Sequence, residues 1–193
     1  MLNFNRELKQ SLFLYMKFYY VLLIFFLVSC KNDVKSSETT EIETNQTIAL
    51  SQGDTALEIY DFEGLKPFLR ENDDKIHIVN FWATWCAPCV KELPYFEELQ
   101  ANYAKRGVEV LLVSLDFPKQ YETKLKPFLK ERNLKSKVIV LNDVDSNTWI
   151  PLVDEEWSGA IPATLIYKGD NRKFYEGSFT YEELETELEY FLN

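Results

Sequence analysis

Cys86 and Cys89 are separated by two residues in the stretch Phe81-Trp82-Ala83-Thr84-Trp85-Cys86-Ala87-Pro88-Cys89, and two thiols at that spacing can exchange electrons as a pair. Residues 75–82 before them are apolar enough for a buried strand, and residues 89–106 after them read as a helix. The pair therefore sits at a strand-to-helix junction. A cysteine at a helix N-terminus faces backbone N–H groups without intrahelical partners and the positive end of the helix dipole. Both favour the thiolate, which is the nucleophile in disulfide chemistry. Cys86 is placed to attack a substrate disulfide. Cys89, one turn further in and on the apolar face, is placed to release the substrate by closing a Cys86–Cys89 disulfide. Pro88 falls in the first helical turn, where its missing N–H costs little. Beyond that disulfide the chemistry needs no cofactor.

Two blander uses of such a pair are a zinc half-site and a structural disulfide. Zinc takes about four ligands, and the chain has one histidine, His77, within the strand-like segment, so no metal site is expected. His77 more naturally packs in or beside the core, since nothing pairs it with the cysteines. A disulfide closing so small a loop restricts few unfolded conformations and is a weak staple.

The elements that must hold this pair follow from periodicity. A short apolar run over 56–60 precedes a helical stretch near 63–71. In the helix after the cysteines, Cys89, Leu93, Phe96, Leu99 and Tyr103 recur on one face, and Gly107 follows as a terminator. Residues 108–115 form a continuous apolar strand of the kind covered on both faces. A helix is expected over 120–132, a strand over 137–141 and a short helix near 147–152. Residues 163–168 and 172–176 flank Gly169-Asp170-Asn171, a hairpin signal. Thr180-Tyr181-Glu182-Glu183 is a capping box, opening a helix with Tyr181, Leu184, Leu188 and Phe191 on one side. This order predicts an α/β fold with helices on both faces of a sheet, mixed because of the closing hairpin.

The N-terminus reads as an address. Residues 18–28 are eleven apolar residues after Lys17, too few for a bilayer span and suited to a secretory signal. Leu27-Val28-Ser29-Cys30 resembles a bacterial lipobox, in which the cysteine becomes the lipidated first residue of the mature chain. An uncleaved anchor is the alternative, and either places the domain outside the cytoplasm. Domain boundaries follow: 1–29 signal peptide, 30–54 lipidated Cys30 and a polar tether, 55–193 the folded domain. Removing 1–29 takes away Arg6, Lys9, Lys17 and Glu7 and shifts the net charge from −10 to −12. So acidic a chain lacks the basic surface that nucleic acid requires.

The stretch 79–97 resembles the thioredoxin superfamily, and most its TlpA/ResA branch of extracytoplasmic reductases. Trp85 matches the tryptophan before the first active-site cysteine, and Pro94 the proline that kinks the active-site helix. Gly159-Ala160-Ile161-Pro162-Ala163-Thr164 matches the loop whose proline is cis in that family. The resemblance covers residues 55–193. It implies a thioredoxin-like three-layer α/β/α fold with a TlpA/ResA-type insertion at 120–140. It also implies a substrate site at Trp85, Ile161 and Pro162, with the Ile161 backbone pairing with an incoming peptide. Where plain thioredoxin has a buried acid, this chain has Asn80, which cannot serve as a base for the second cysteine. Glu92, three residues after Cys89, is the candidate acid–base group; water is an alternative, and so is a surface position for Glu92. The implied function is reduction of protein disulfides at the cell envelope, drawing electrons from a membrane thiol donor, with a link to cytochrome c maturation. Competing readings are a disulfide oxidase or isomerase and a non-catalytic binding module. A peroxiredoxin would carry threonine three residues before its reactive cysteine, where this chain has Ala83.

Overall fold

The computed structural model describes residues 56–193, so the expected signal peptide, Cys30 and the tether lie outside the described residues. Six strands form one sheet: Glu58–Tyr60 (β1), Ile76–Trp82 (β2), Val108–Ser114 (β3), Lys137–Leu141 (β4), Ala163–Lys168 (β5) and Asn171–Glu176 (β6). Their order across the sheet is β1-β4-β3-β2-β5-β6. The β1–β4, β4–β3 and β3–β2 pairings are parallel, and β5 runs antiparallel to both β2 and β6. The sheet is mixed, as expected from the closing hairpin.

Among the described residues, five α-helices accompany it: Phe62–Leu65 (α1), Ala87–Tyr103 (α2), Lys126–Arg132 (α3), Ser146–Val153 (α4) and Tyr181–Leu192 (α5). Side chains on a strand alternate between faces. Ile76, Ile78 and Trp82 of β2, with Val108, Val110 and Leu112 of β3, pack under Leu93, Phe96 and Leu99 of α2 and Leu184, Leu188 and Phe191 of α5. Val79, Phe81, Leu111, Val113 and Leu165 turn the other way, onto Phe62 and Leu65 of α1 and Trp149 and Val153 of α4. Every residue of β2 is buried, which explains why the strand is mostly apolar. His77 and Asn80 are its polar residues, and Asn80 is fully enclosed. The alternation places Asn80 on the α2 side, where a buried amide must find partners.

Three elements depart from the periodic expectation. The helix expected over 63–71 is α1 followed by a 3-10 turn, Lys66–Leu69, and Glu71 instead donates its N–H to the Tyr167 hydroxyl (3.2 Å). Pro67 near the start of the 3-10 turn cannot supply an N–H, so a regular α-helix is not sustained. The active-site helix begins at Ala87 rather than 89 and ends in the 3-10 turn Ala104–Arg106, with Gly107 at φ +80° as its left-handed terminator. The helix expected over 120–132 is split. A π-turn, Tyr121–Leu125, precedes α3, and the Lys126 N–H reaches back to Tyr121 O. Pro127 lacks the N–H that would continue an α-helical ladder, and the wider turn keeps Tyr121 and Leu125 both facing the core. At the C-terminus the capping box forms as read, with Thr180 and Glu183 exchanging side-chain and backbone hydrogen bonds.

Candidate active site

β2 ends at Trp82, and α2 begins five residues later at Ala87. Cys86 is the N-cap of that helix, in extended conformation (φ −91°, ψ 97°), and its Sγ accepts the Cys89 N–H at 3.3 Å. Cys86 and Cys89 form a disulfide with their Cα atoms 5.3 Å apart. Cys86 is 6% exposed, while Cys89 is fully enclosed on the core face. A backbone N–H directed at Sγ, backed by the helix dipole, stabilises negative charge on that sulfur once the disulfide opens.

Ile161 and Pro162 come to the same place from the loop before β5. Their peptide bond is cis, and the Ile161 carbonyl oxygen lies 3.7 Å from Cys86 Sγ, within reach of a thiol hydrogen in the reduced protein. Pro162 is buried and Ile161 half-buried, so the Ile161 backbone borders the sulfur that solvent can reach. Trp85 stands beside Cys86 with 51% of its surface exposed. Its ring lies nearly parallel to that of Phe117 (60% exposed), with centroids 6.0 Å apart. Two stacked, solvent-facing aromatic rings at the rim of the disulfide make an apolar shelf.

The shelf is fixed from below by Asp116, two residues past the C-terminal end of β3. One Asp116 carboxylate oxygen accepts from the Thr84 N–H (3.0 Å) and from the Ser114 hydroxyl (2.9 Å), and the other accepts from the Thr84 hydroxyl. This buried clamp ties the loop carrying Phe117 to the loop carrying Trp85. Sequence reading passed over Asp116 and Phe117. The available signal was positional, because ligands of open α/β sheets gather at the carboxyl ends of parallel strands.

Glu92 is not a surface residue. It is 1% exposed, on the face of α2 that carries Cys89 one turn earlier. Asn80 Nδ2 donates to one carboxylate oxygen (3.0 Å) and to Thr164 Oγ1 (3.1 Å), and the Phe179 N–H donates to the other carboxylate oxygen (2.8 Å). Burial pushes the Glu92 carboxyl up to about 7, against the two hydrogen bonds, which favour its charged form. The surface position fails because Asn80, facing α2 from the sheet, needs a buried acceptor, and Glu92 is the side chain above it. His77 sits near the opposite end of β2 from the cysteines. It stacks on Tyr167 with centroids 4.8 Å apart and is hydrogen-bonded to Asp73 (2.8 Å). Cys30 lies outside the described residues.

A thioredoxin-like sheet, a cysteine pair capping α2 and a cis proline opposite it define a family signature. The AhpC/TSA family profile matches residues 54–172. The chain belongs to this family of thioredoxin-like proteins. It is 33% identical over 133 residues to the thiol-disulfide oxidoreductase ResA of Bacillus cereus, covering 68% of this chain and 72% of the relative. To the ResA of Geobacillus thermodenitrificans it is 32% identical over 145 residues, covering 73% and 78%. A thiol:disulfide interchange protein of the thioredoxin family from Chlorobium tepidum superposes with a TM-score of 0.53 at 20% identity, over 75% of this chain and 100% of that one, and supports the fold. This AhpC/TSA-family chain is a thiol–disulfide oxidoreductase.

Proposed function

We propose that this protein is an extracytoplasmic reductase of protein disulfides, held at a membrane by lipid on Cys30, with Cys86 as nucleophile and Cys89 as resolving thiol. The observation that carries the reading is the position of Cys86 Sγ, capping α2 through the Cys89 N–H while bordering the Ile161 backbone. In the reduced enzyme, the Cys86 thiolate attacks one sulfur of the substrate disulfide. A Cys86–substrate bond forms and the other substrate sulfur leaves as a thiolate, taking up a proton. Cys89 then loses its proton to Glu92, buried one turn further along the same helix, and attacks Cys86 Sγ. The second substrate sulfur leaves, the Cys86–Cys89 disulfide closes, and two electrons have passed to the substrate. A membrane dithiol donor restores the pair by the reverse exchange, and the enzyme itself requires no further cofactor.

Trp85, Ile161 and Pro162 form the substrate-binding surface in this reading, extended by Phe117. Protein substrates, apocytochromes c among them, fit a site that offers an apolar shelf and a backbone edge rather than an enclosed cavity. Replacing Cys89 with Ala tests it. The folded, lipidated variant should accumulate substrates as covalent adducts on Cys86 that reductant releases, and replacing Cys86 should abolish adducts and turnover together. If the Cys89→Ala protein traps nothing in cells, the reductase reading gives way to a binding module.

A further inference from the structure

The loop 157–162 that brings Ile161 to Cys86 is held at several points. Trp157 is buried and wedged among Phe81, Trp149 and Phe174, with ring centroids 4.8, 5.5 and 5.5 Å away, so its indole cannot swing. From that fixed ring, Nε1–H donates to the Ala160 carbonyl oxygen at 2.8 Å. Ser158 donates its N–H and its hydroxyl to the Glu176 carboxylate (2.8 and 2.9 Å), and the Gly177 N–H donates to Pro162 O (2.9 Å). Gly159 makes the bend possible: its φ is +91°, and a Cβ there would meet Ile150 Cδ1 at 2.9 Å.

The Ala160 carbonyl and the Ile161 N–H belong to one peptide unit, which is trans. In a planar trans peptide the C=O and N–H point in opposite directions. An indole that draws the Ala160 oxygen inward therefore turns the Ile161 N–H outward, and among the described residues nothing accepts from it.

We propose that Trp157 is a positioning residue for substrate binding: by holding the Ala160 carbonyl, its indole N–H presents the Ile161 N–H as a free donor for the backbone of the polypeptide whose disulfide Cys86 attacks. Trp157 does not touch the substrate. It acts through one peptide plane, and its effect is confined to substrates that have a backbone to pair. The inference rests on the proposed reading of the site as one for protein disulfides.

Trp157→Phe keeps an aromatic ring in the cluster and removes the donor. Reduced wild type and variant are compared on a disulfide-bonded peptide and on dithiobis(nitrobenzoate), a small disulfide without a peptide backbone. The peptide KM should rise about tenfold, the equivalent of one neutral hydrogen bond, with kcat unchanged and the small-disulfide rate within about twofold of wild type. In parallel, wild type is given peptides with an ester at positions flanking the cysteine, where the carbonyl is a weaker acceptor. At one position the ester should raise KM in wild type and have no further effect in Trp157→Phe. An unchanged peptide KM in the variant overturns the proposal, and so does an equal loss on both disulfides, which would mean general damage. If the variant does not fold, the ester series on wild type decides: insensitivity at every flanking position overturns it. Wild type that reduces the small disulfide and no peptide removes the protein-substrate reading itself, a result distinct from all of these.

Discussion

Replacing Glu92 with Gln probes a buried charge at its strongest. The carboxyl is lifted from an ordinary 4.5 to about 7 because burial penalises the anion more than the Asn80 and Phe179 hydrogen bonds stabilise it. A lift of that size corresponds to about 3 kcal/mol between the two protonation states. The sign follows from proton binding: the folded state holds this proton more tightly than the unfolded chain. The contribution of Glu92 to stability is therefore most favourable below about pH 4.5, is lost as pH rises to about 7, and is level above that. The amide of Glu92→Gln cannot titrate, so urea unfolding of the two oxidised proteins between pH 4.5 and 8 should show wild type losing about 3 kcal/mol relative to the variant across that window. Resolution of mixed disulfides should slow in wild type as pH falls below about 7, where the base becomes protonated. In the variant that dependence should vanish, at a rate about a hundredfold lower at neutral pH. Parallel stability profiles in the two proteins would refute the burial argument.

Other consequences follow from the same geometry. In the reduced protein Cys86 should alkylate faster than Cys89, since one sulfur caps the helix at the surface and the other is enclosed; equal rates at neutral pH would contradict the assignment. Phe117→Ala should raise KM for a peptide carrying an apolar residue beside its cysteine several-fold and leave a polar-flanked peptide unchanged, as steady-state kinetics on the two peptides will show. Mass spectrometry of membrane-extracted protein should find the mature N-terminus at Cys30 with lipid attached. A mature terminus elsewhere, or Cys30 unmodified, sinks the anchor.

Elements whose cause is local were legible in the sequence. The capping box at Thr180 and Glu183, the hairpin at Gly169 and the buried run of β2 each depend on residues within a few positions of one another, and each forms as read. The cysteine pair was legible for the same reason, since its chemistry needs only a strand, a turn and a helix. What escaped was set across the chain. The burial of Glu92 comes from Asn80 twelve residues earlier and from the Phe179 amide eighty-seven residues later. The grip of Asp116 on Thr84 spans thirty-two positions. The stretch 120–132 is helical as read, but nothing local signalled the π-turn that precedes Pro127 and keeps Tyr121 and Leu125 buried. Residue types announce chemistry, while the partners that tune it are chosen by packing.

The central claim is tested most directly by the reduction potential of the Cys86–Cys89 couple, obtained by equilibrating the purified protein with glutathione or dithiothreitol buffers and counting free thiols. A protein that delivers electrons to substrate disulfides should show a potential close to the thioredoxin value of about −270 mV. A value near the DsbA figure of about −120 mV would make the couple an oxidant and contradict the reductase account.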